Sequence, residues 1–323
     1  MQELILGTRG SALALWQARH VAGRLLEHHP GVKIVERIIK TEGDIQQSAP
    51  LGASDVGVFV RRIEQAMSAG EIDLAVHSLK DLPTEQPEGL VIACVPPRHD
   101  PRDALLSREG HAFENLPSGT VIGTGSPRRR TQLLHARPEL KTASIRGNVD
   151  TRIRKLAEGQ FGAIVLALAG LERLGLDSVP YRPIESSICL PAVGQGALGL
   201  ETRADDDRVK ELIAVLDDAT SHHAVIAERA FLRTLGGGCL APATAYGRID
   251  EDRLVLRAAV GDADGVELMR DEETGPPPDA RGDAAVVNAA AETGRRLAER
   301  MMQAGASELL RQSREPARQR GSS

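Results

Sequence analysis

The chain predicts an α/β protein of two similar lobes followed by a small α+β unit, and three observations carry that prediction. Its 323 residues exceed one ordinary hydrophobic core, so two or three domains are expected. Through the first two-thirds, short apolar runs alternate with helical patterns, the mark of an α/β sheet. From about Ser221 the pattern changes to a helix, three alternating strands and a second helix.

Leu4–Leu6 reads as the first strand, and the following helix puts Ala14, Ala18, Val21 and Leu25 on one face. Ile34–Ile39, Ile72–Val76 and Leu90–Val95 read as strands, and Phe59–Ala69 as a helix. The stretch Pro96-Pro97-Arg98-His99-Asp100-Pro101 is a hinge between lobes. The pattern then restarts: strand Val121–Gly123, helix Pro127–Ala136, strand Thr142–Ile145, helix Val149–Glu158 and buried strand Ala163–Ala167. Proline-rich Val179–Pro191 reads as a second crossing, after which the chain returns to the first lobe. Helix Ala224–Leu235 leads into Gly236-Gly237-Gly238-Cys239 and strands near 243–249, 253–260 and 266–271. A last helix carries Val286, Ala290, Leu297 and Met301. The expected units are residues 1–96 with 197–216, residues 100–192 and residues 219–311, with a disordered tail at 312–323.

With 41% hydrophobic and 26% charged residues the composition is that of a soluble globular protein. Aromatics make up 2%, leaving little for stacking on nucleic acid, and a net charge of −5 argues against general affinity for phosphate backbones or anionic membranes. Only 6 of the 40 basic residues are lysine. A genome-wide codon bias explains that better than a functional excess does, so position has to discriminate. Cys94, Cys189 and Cys239 fit neither a disulfide framework nor a zinc site, and no metal is expected. The N-terminus lacks a basic segment and a long apolar run, and no apolar run spans a bilayer, so a cytoplasmic protein is expected.

Gly7-Thr8-Arg9-Gly10-Ser11 and Gly123-Thr124-Gly125-Ser126-Pro127 form a near-repeat, each where a strand gives way to a helix. Ser11 and Ser126 are natural N-caps, and Pro127 suits a first helical position. Each turn aims backbone N–H groups and a positive dipole end at one spot, with Arg9 or Arg128, Arg129 and Arg130 beside it. Two such turns facing across a cleft would hold a multiply anionic ligand; the plainer reading is two capped helices with solvated arginines. His77-Ser78-Leu79-Lys80-Asp81 follows an apolar strand, where ligands bind in open α/β sheets, although Lys80 and Asp81 could equally be a surface pair. Gly194-Gln195-Gly196-Ala197-Leu198-Gly199 matches a dinucleotide fingerprint, but a proline-rich loop precedes it and a helical pattern follows. His28-His29 and His222-His223 diverge on helices and read as surface residues. Cys239, in a glycine loop, is a better nucleophile than Cys94 or Cys189.

In order along the chain, these segments resemble porphobilinogen deaminases: Thr8–Ala18, Asp73–Pro83, Asp100–Ala104, Arg146–Arg152, Ala169–Gly175, Leu190–Gly196, Glu228–Ala230 and Gly237–Cys239. The resemblance implies two lobes like those of periplasmic binding proteins and a third domain carrying the cofactor cysteine. It implies a hydroxymethylbilane synthase that condenses four porphobilinogen molecules head to tail on a dipyrromethane primer attached to Cys239. Asp81 would hold pyrrole N–H groups and serve catalysis. Lys80, Thr124, Ser126, Arg128, Arg129 and Arg152 would bind the cofactor. Arg9, Ser11, Phe59, Arg146, Arg173 and Gln195 would meet the substrate and growing chain. Each porphobilinogen carries an acetate and a propionate, and arginine pairs with carboxylates bidentately. No metal, nucleic acid or membrane is required, and the family implies a monomer. The chain departs from the family in its lysine-free loop Ser48–Phe59 and in Thr124-Gly125-Ser126-Pro127, where two serines and a leucine are usual. The rival reading is a two-lobed cytoplasmic anion-binding or effector module, which leaves the third domain and Cys239 without a purpose.

Overall fold

The computed structural model describes residues 2–39, 58–176, 179–236, 238, 241–278 and 284–314. Strand β1 (Gln2–Thr8) runs into helix α1 (Ala12–His28), followed by β2 (Val32–Ile38), α2 (Val58–Ser68), β3 (Leu74–Ser78) and β4 (Leu90–Cys94). After a first crossing come β5 (Asp103–Ser107), β6 (Val121–Gly123), α3 (Pro127–Ala136), β7 (Lys141–Ala143), α4 (Val149–Ala157), β8 (Ala163–Ala167), α5 (Leu168–Arg173) and β9 (Arg182–Ile184). The chain crosses back into β10 (Leu198–Arg203) and α6 (Asp207–Ile213). Helix α7 (Ala219–Thr234), strands β11 (Ala243–Asp250), β12 (Arg253–Gly261) and β13 (Leu268–Gly275), and helices α8 (Ala284–Met301) and α9 (Ser307–Arg314) complete it. Among the described residues no helix is long and apolar enough to cross a membrane.

Two five-stranded sheets share one design. In the first, ordered β2-β1-β3-β10-β4, β1 is parallel to β2 and β3, while β10 runs antiparallel to β3 and β4. In the second, ordered β7-β6-β8-β5-β9, β6 is parallel to β7 and β8, while β5 runs antiparallel to β8 and β9. The reversed strand of each sheet, β5 or β10, is the one that follows a crossing. The return crossing starts later than the proline-rich stretch suggests, because Arg182–Ile184 still pairs with β5.

Helix α1 buries Ala18, Val21 and Leu25 against Leu4, Leu6 and Leu74, at about 1.5–3 kcal/mol for each large side chain. Beyond the lobes, β11, β12 and β13 form an antiparallel meander. It packs with α7 and α8 around Phe231, Leu256, Leu297 and Met301.

Glu228 of α7 ties these parts together. Its carboxylate is wholly buried and accepts hydrogen bonds from Arg98 Nη1 (2.6 Å), Gly194 N (2.7 Å) and Gly247 N (2.8 Å). One charge thus anchors both crossings and the third sheet. The glycines of the false dinucleotide fingerprint have a different purpose. At Gly196 φ is +85° and a Cβ would lie 2.5 Å from the His99 carbonyl oxygen, so the two crossings touch backbone to backbone.

Three expectations need correction. His223 is buried, with Nε2 3.2 Å from the Pro276 carbonyl oxygen, because α7 lies under the third sheet. Ala14 is only partly buried on its helix face. Residues 312–314, expected in a disordered tail, continue α9, where Gln312 Nε2 donates to Glu308 at 2.9 Å.

Candidate active site

Both strand-to-helix turns form as the near-repeat predicts. Ser11 Oγ accepts from Ala14 N at 3.3 Å, and Ser126 Oγ accepts from Arg129 N at 3.4 Å. Thr124 is buried, and its hydroxyl accepts from Ser126 N. Beyond β3 the chain tightens into a single 3₁₀ turn, Leu79–Asp81, which puts Lys80 and Asp81 at the strand's C-terminal end. Asp81 is exposed there and lines a cavity together with Arg9, Ser11, Gln17 and His77.

Across the cleft, Arg128 and Arg129 are not solvated: they are 5% and 6% exposed and share one carboxylate, that of Asp103. Arg128 Nη1 lies 2.6 Å from Asp103 Oδ2, and Arg129 Nη2 lies 2.7 Å from Oδ1. Arg128 also donates to the Leu190 carbonyl at 2.7 Å, and Arg129 to that of Val165 at 2.8 Å. Gln195 Nε2 completes the cage, donating to Asp103 Oδ1 at 2.8 Å and to the Pro101 carbonyl at 2.7 Å. Burial works against the Asp103 charge, but the two guanidiniums overcome it and hold this carboxyl far below the usual carboxylate range. The triad keeps a net positive charge, and the buried Nε of Arg128 has no hydrogen-bond partner among the described residues.

Further cations surround it. Burial pushes the Lys80 ammonium down to about 8; Asp81 and Asp103 oppose the shift, while Arg129 and Arg128 reinforce it. Burial also lowers Arg152, helped by Arg129 and Arg146 and opposed by Asp81. Those mutual influences put Lys80, Asp81, Arg129, Arg146 and Arg152 around one space. Arg152 is held by its Nε donating to the Gly147 carbonyl at 2.8 Å, while Arg146 is exposed. Such a group of cations is complementary in charge to carboxylates.

Two expected substrate residues sit differently. Arg173 is 5% exposed, donates to the Gly196 carbonyl at 2.7 Å and lies 5.9 Å from the Trp16 ring centroid, so it joins the lobes. Gln195 serves Asp103. Phe59 falls in the first turn of α2, but its side chain lies outside the described residues, as do Cys239 and most of loop 48–59. The resemblance assigned no role to Asp103 or Glu228, although each lies within a segment that carries it. Each stands at the edge of an apolar run, Asp103 before Ala104-Leu105-Leu106 and Glu228 after Ala224–Ala227, and their partners are distant in sequence.

The family model described as "Porphobilinogen deaminase, dipyromethane cofactor binding domain" matches residues 4–211, and "Porphobilinogen deaminase, C-terminal domain" matches residues 222–303. The chain belongs to the porphobilinogen deaminase family. The porphobilinogen deaminase of Desulforudis audaxviator is 48% identical over 312 residues, covering 96% of this chain and 97% of that one. That of Roseiflexus sp. is 51% identical over 265 residues, covering 82% and 88%. Among solved structures, the BenM effector binding domain with benzoate is 14% identical at a TM-score of 0.40, covering 67% of this chain and 88% of that one. So low a likeness supports no argument about this family member.

Proposed function

We propose that the chain is a hydroxymethylbilane synthase, joining four porphobilinogen molecules head to tail with loss of ammonia and releasing the linear tetrapyrrole. The observation that supports this most is the set of Lys80, Arg128, Arg129 and Arg152 around Asp81, in a chain of this family.

The donor set fits a dipyrromethane. Its carboxylates suit a net-positive pocket, and the unpartnered Arg128 Nε is a donor suited to one of them. Lys80, Thr124, Ser126, Arg128, Arg129 and Arg152 would hold it, with Cys239 as its thioether anchor. When bound, it supplies a covalent primer with a reactive pyrrole carbon. Around it, Arg9, Ser11 and Arg146 orient the substrate carboxylates, and Arg173 and Gln195 fix the crossing behind them. Departure of ammonia from porphobilinogen leaves an electron-poor, cationic ring system. The exposed Asp81 carboxylate, preorganised at its strand end, stabilises that charge and receives ring N–H groups. We read the protein as a cytoplasmic monomer.

Incubation with porphobilinogen tests the reading. Four ammonia molecules per linear tetrapyrrole are expected; tight binding without ammonia release would favour the effector-module reading instead.

A further inference from the structure

His77 ends on the opposite face of β3 from Val76 and Ser78, facing the α2 layer. It is 7% exposed, yet it lines the same cavity as Asp81, Arg9 and Ser11. Its Nε2 lies 3.0 Å from Glu201 Oε2, on the neighbouring strand β10. Glu201 is wholly buried, and its other oxygen, Oε1, has no hydrogen-bond partner among the described residues. That sets it apart from the buried carboxylates of Asp103 and Glu228, each neutralised by arginine. Among the described residues its ion-pair partner is the His77 imidazole.

We propose that His77 is a second proton acceptor of the substrate cavity, held in its Nδ1-basic tautomer by Glu201. A carboxylate can only accept, so Nε2 carries the hydrogen, and the lone pair is left on Nδ1. No hydrogen bond from Nδ1 to a described residue competes for that lone pair. The carboxylate also stabilises the imidazolium formed on proton uptake, the logic of carboxylate–histidine pairs in general. Other charges face the pair. Helix α2 presents Glu64 and Arg61, and the cavity presents Arg9 and Asp81. Burial, then the Glu201 charge, raises the Glu64 pKa, while His77 and Arg61 oppose the shift.

The inference rests on the proposed reaction. When one substrate-derived ring is joined to the next, a C–C bond forms at an α-carbon and the ammonia already released has taken its electron pair. The C–H electron pair of that carbon then returns to the ring, and the proton moves to His77 Nδ1. From there it passes to the ammonia, which leaves as ammonium, so atoms and charge balance.

Two readouts test it. In substrate-free protein, ¹⁵N imidazole NMR should show His77 protonated at Nε2, and Glu201→Gln should weaken that preference. In single-turnover kinetics, Glu201→Gln keeps an acceptor beside Nε2 but removes the charge, and with it the fixed tautomer. Elongation should therefore slow about tenfold or more. His77→Gln should lose on the order of 10² in rate with primer loading intact by mass. An Nδ1-protonated His77, or near-native elongation in His77→Gln, would overturn the proposal. Failure of the unsubstituted protein to make tetrapyrrole would instead sink the functional reading itself.

Discussion

Arg128 Nη1 lies 2.6 Å from Asp103 Oδ2, in a setting where neither side chain is more than 6% exposed. Arg129 holds the other oxygen of the same carboxylate. A buried charge without its partner is costly, so Asp103→Asn, which strands two guanidiniums, is expected to lose on the order of 3 kcal/mol or more. Arg128→Leu leaves Arg129 as counter-ion and should destabilise less, while impairing primer loading. Denaturant unfolding of both variants checks the order. Near-native stability in Asp103→Asn would mean that the arginines find anions elsewhere.

Lys80 carries the pH dependence that can be worked out with a sign. Burial places its pKa at about 8, so in the empty cleft it loses its charge as pH rises through that value. Carboxylates bind the protonated form. Primer assembly on the cofactor-free protein should therefore fall off above pH 8, and Lys80→Met should flatten that fall. An unchanged profile in Lys80→Met would assign the titration to another group.

Asp81→Asn keeps size and one acceptor but removes the negative charge. Primer loading should survive at least in part, while single-turnover elongation loses on the order of 10² in rate, the scale of one preorganised electrostatic group. Elongation at a near-native rate would reduce Asp81 to a ligand-positioning role.

Local chemistry made much of the fold legible. Strand Val121–Gly123, helix Pro127–Ala136 and strand Ala163–Ala167 fall where expected, because a serine cap, a first-turn proline and an apolar run are each written in adjacent residues. Strands β5 and β10 escaped, since each places an acid, Asp103 or Glu201, inside a buried strand whose compensation lies far along the chain. The same blindness turned Arg128 and Arg129 into solvated residues or pure ligand donors. His223 looked like a surface residue because nothing near it announces the sheet packed above α7.

Gly196 was read through a motif, whereas its geometry concerns the crossings. With φ at +85° and the His99 carbonyl 2.5 Å from where a Cβ would sit, Gly196→Ala should cost roughly 2 kcal/mol or more. A thermal midpoint within a degree of the parent would show that the crossings separate freely.

The central claim is that this cleft builds a carboxylate-rich chain on a primer at Cys239, and intact-mass spectrometry tests it most directly. The purified protein should be heavier than its sequence by a two-pyrrole unit, located by peptide mapping on Cys239 and missing from Cys239→Ser. Brief exposure to porphobilinogen should add a ladder of equal increments, each one substrate less ammonia. A mass equal to the bare chain after exposure to substrate, or an adduct on the buried Cys94 or Cys189, would contradict the account.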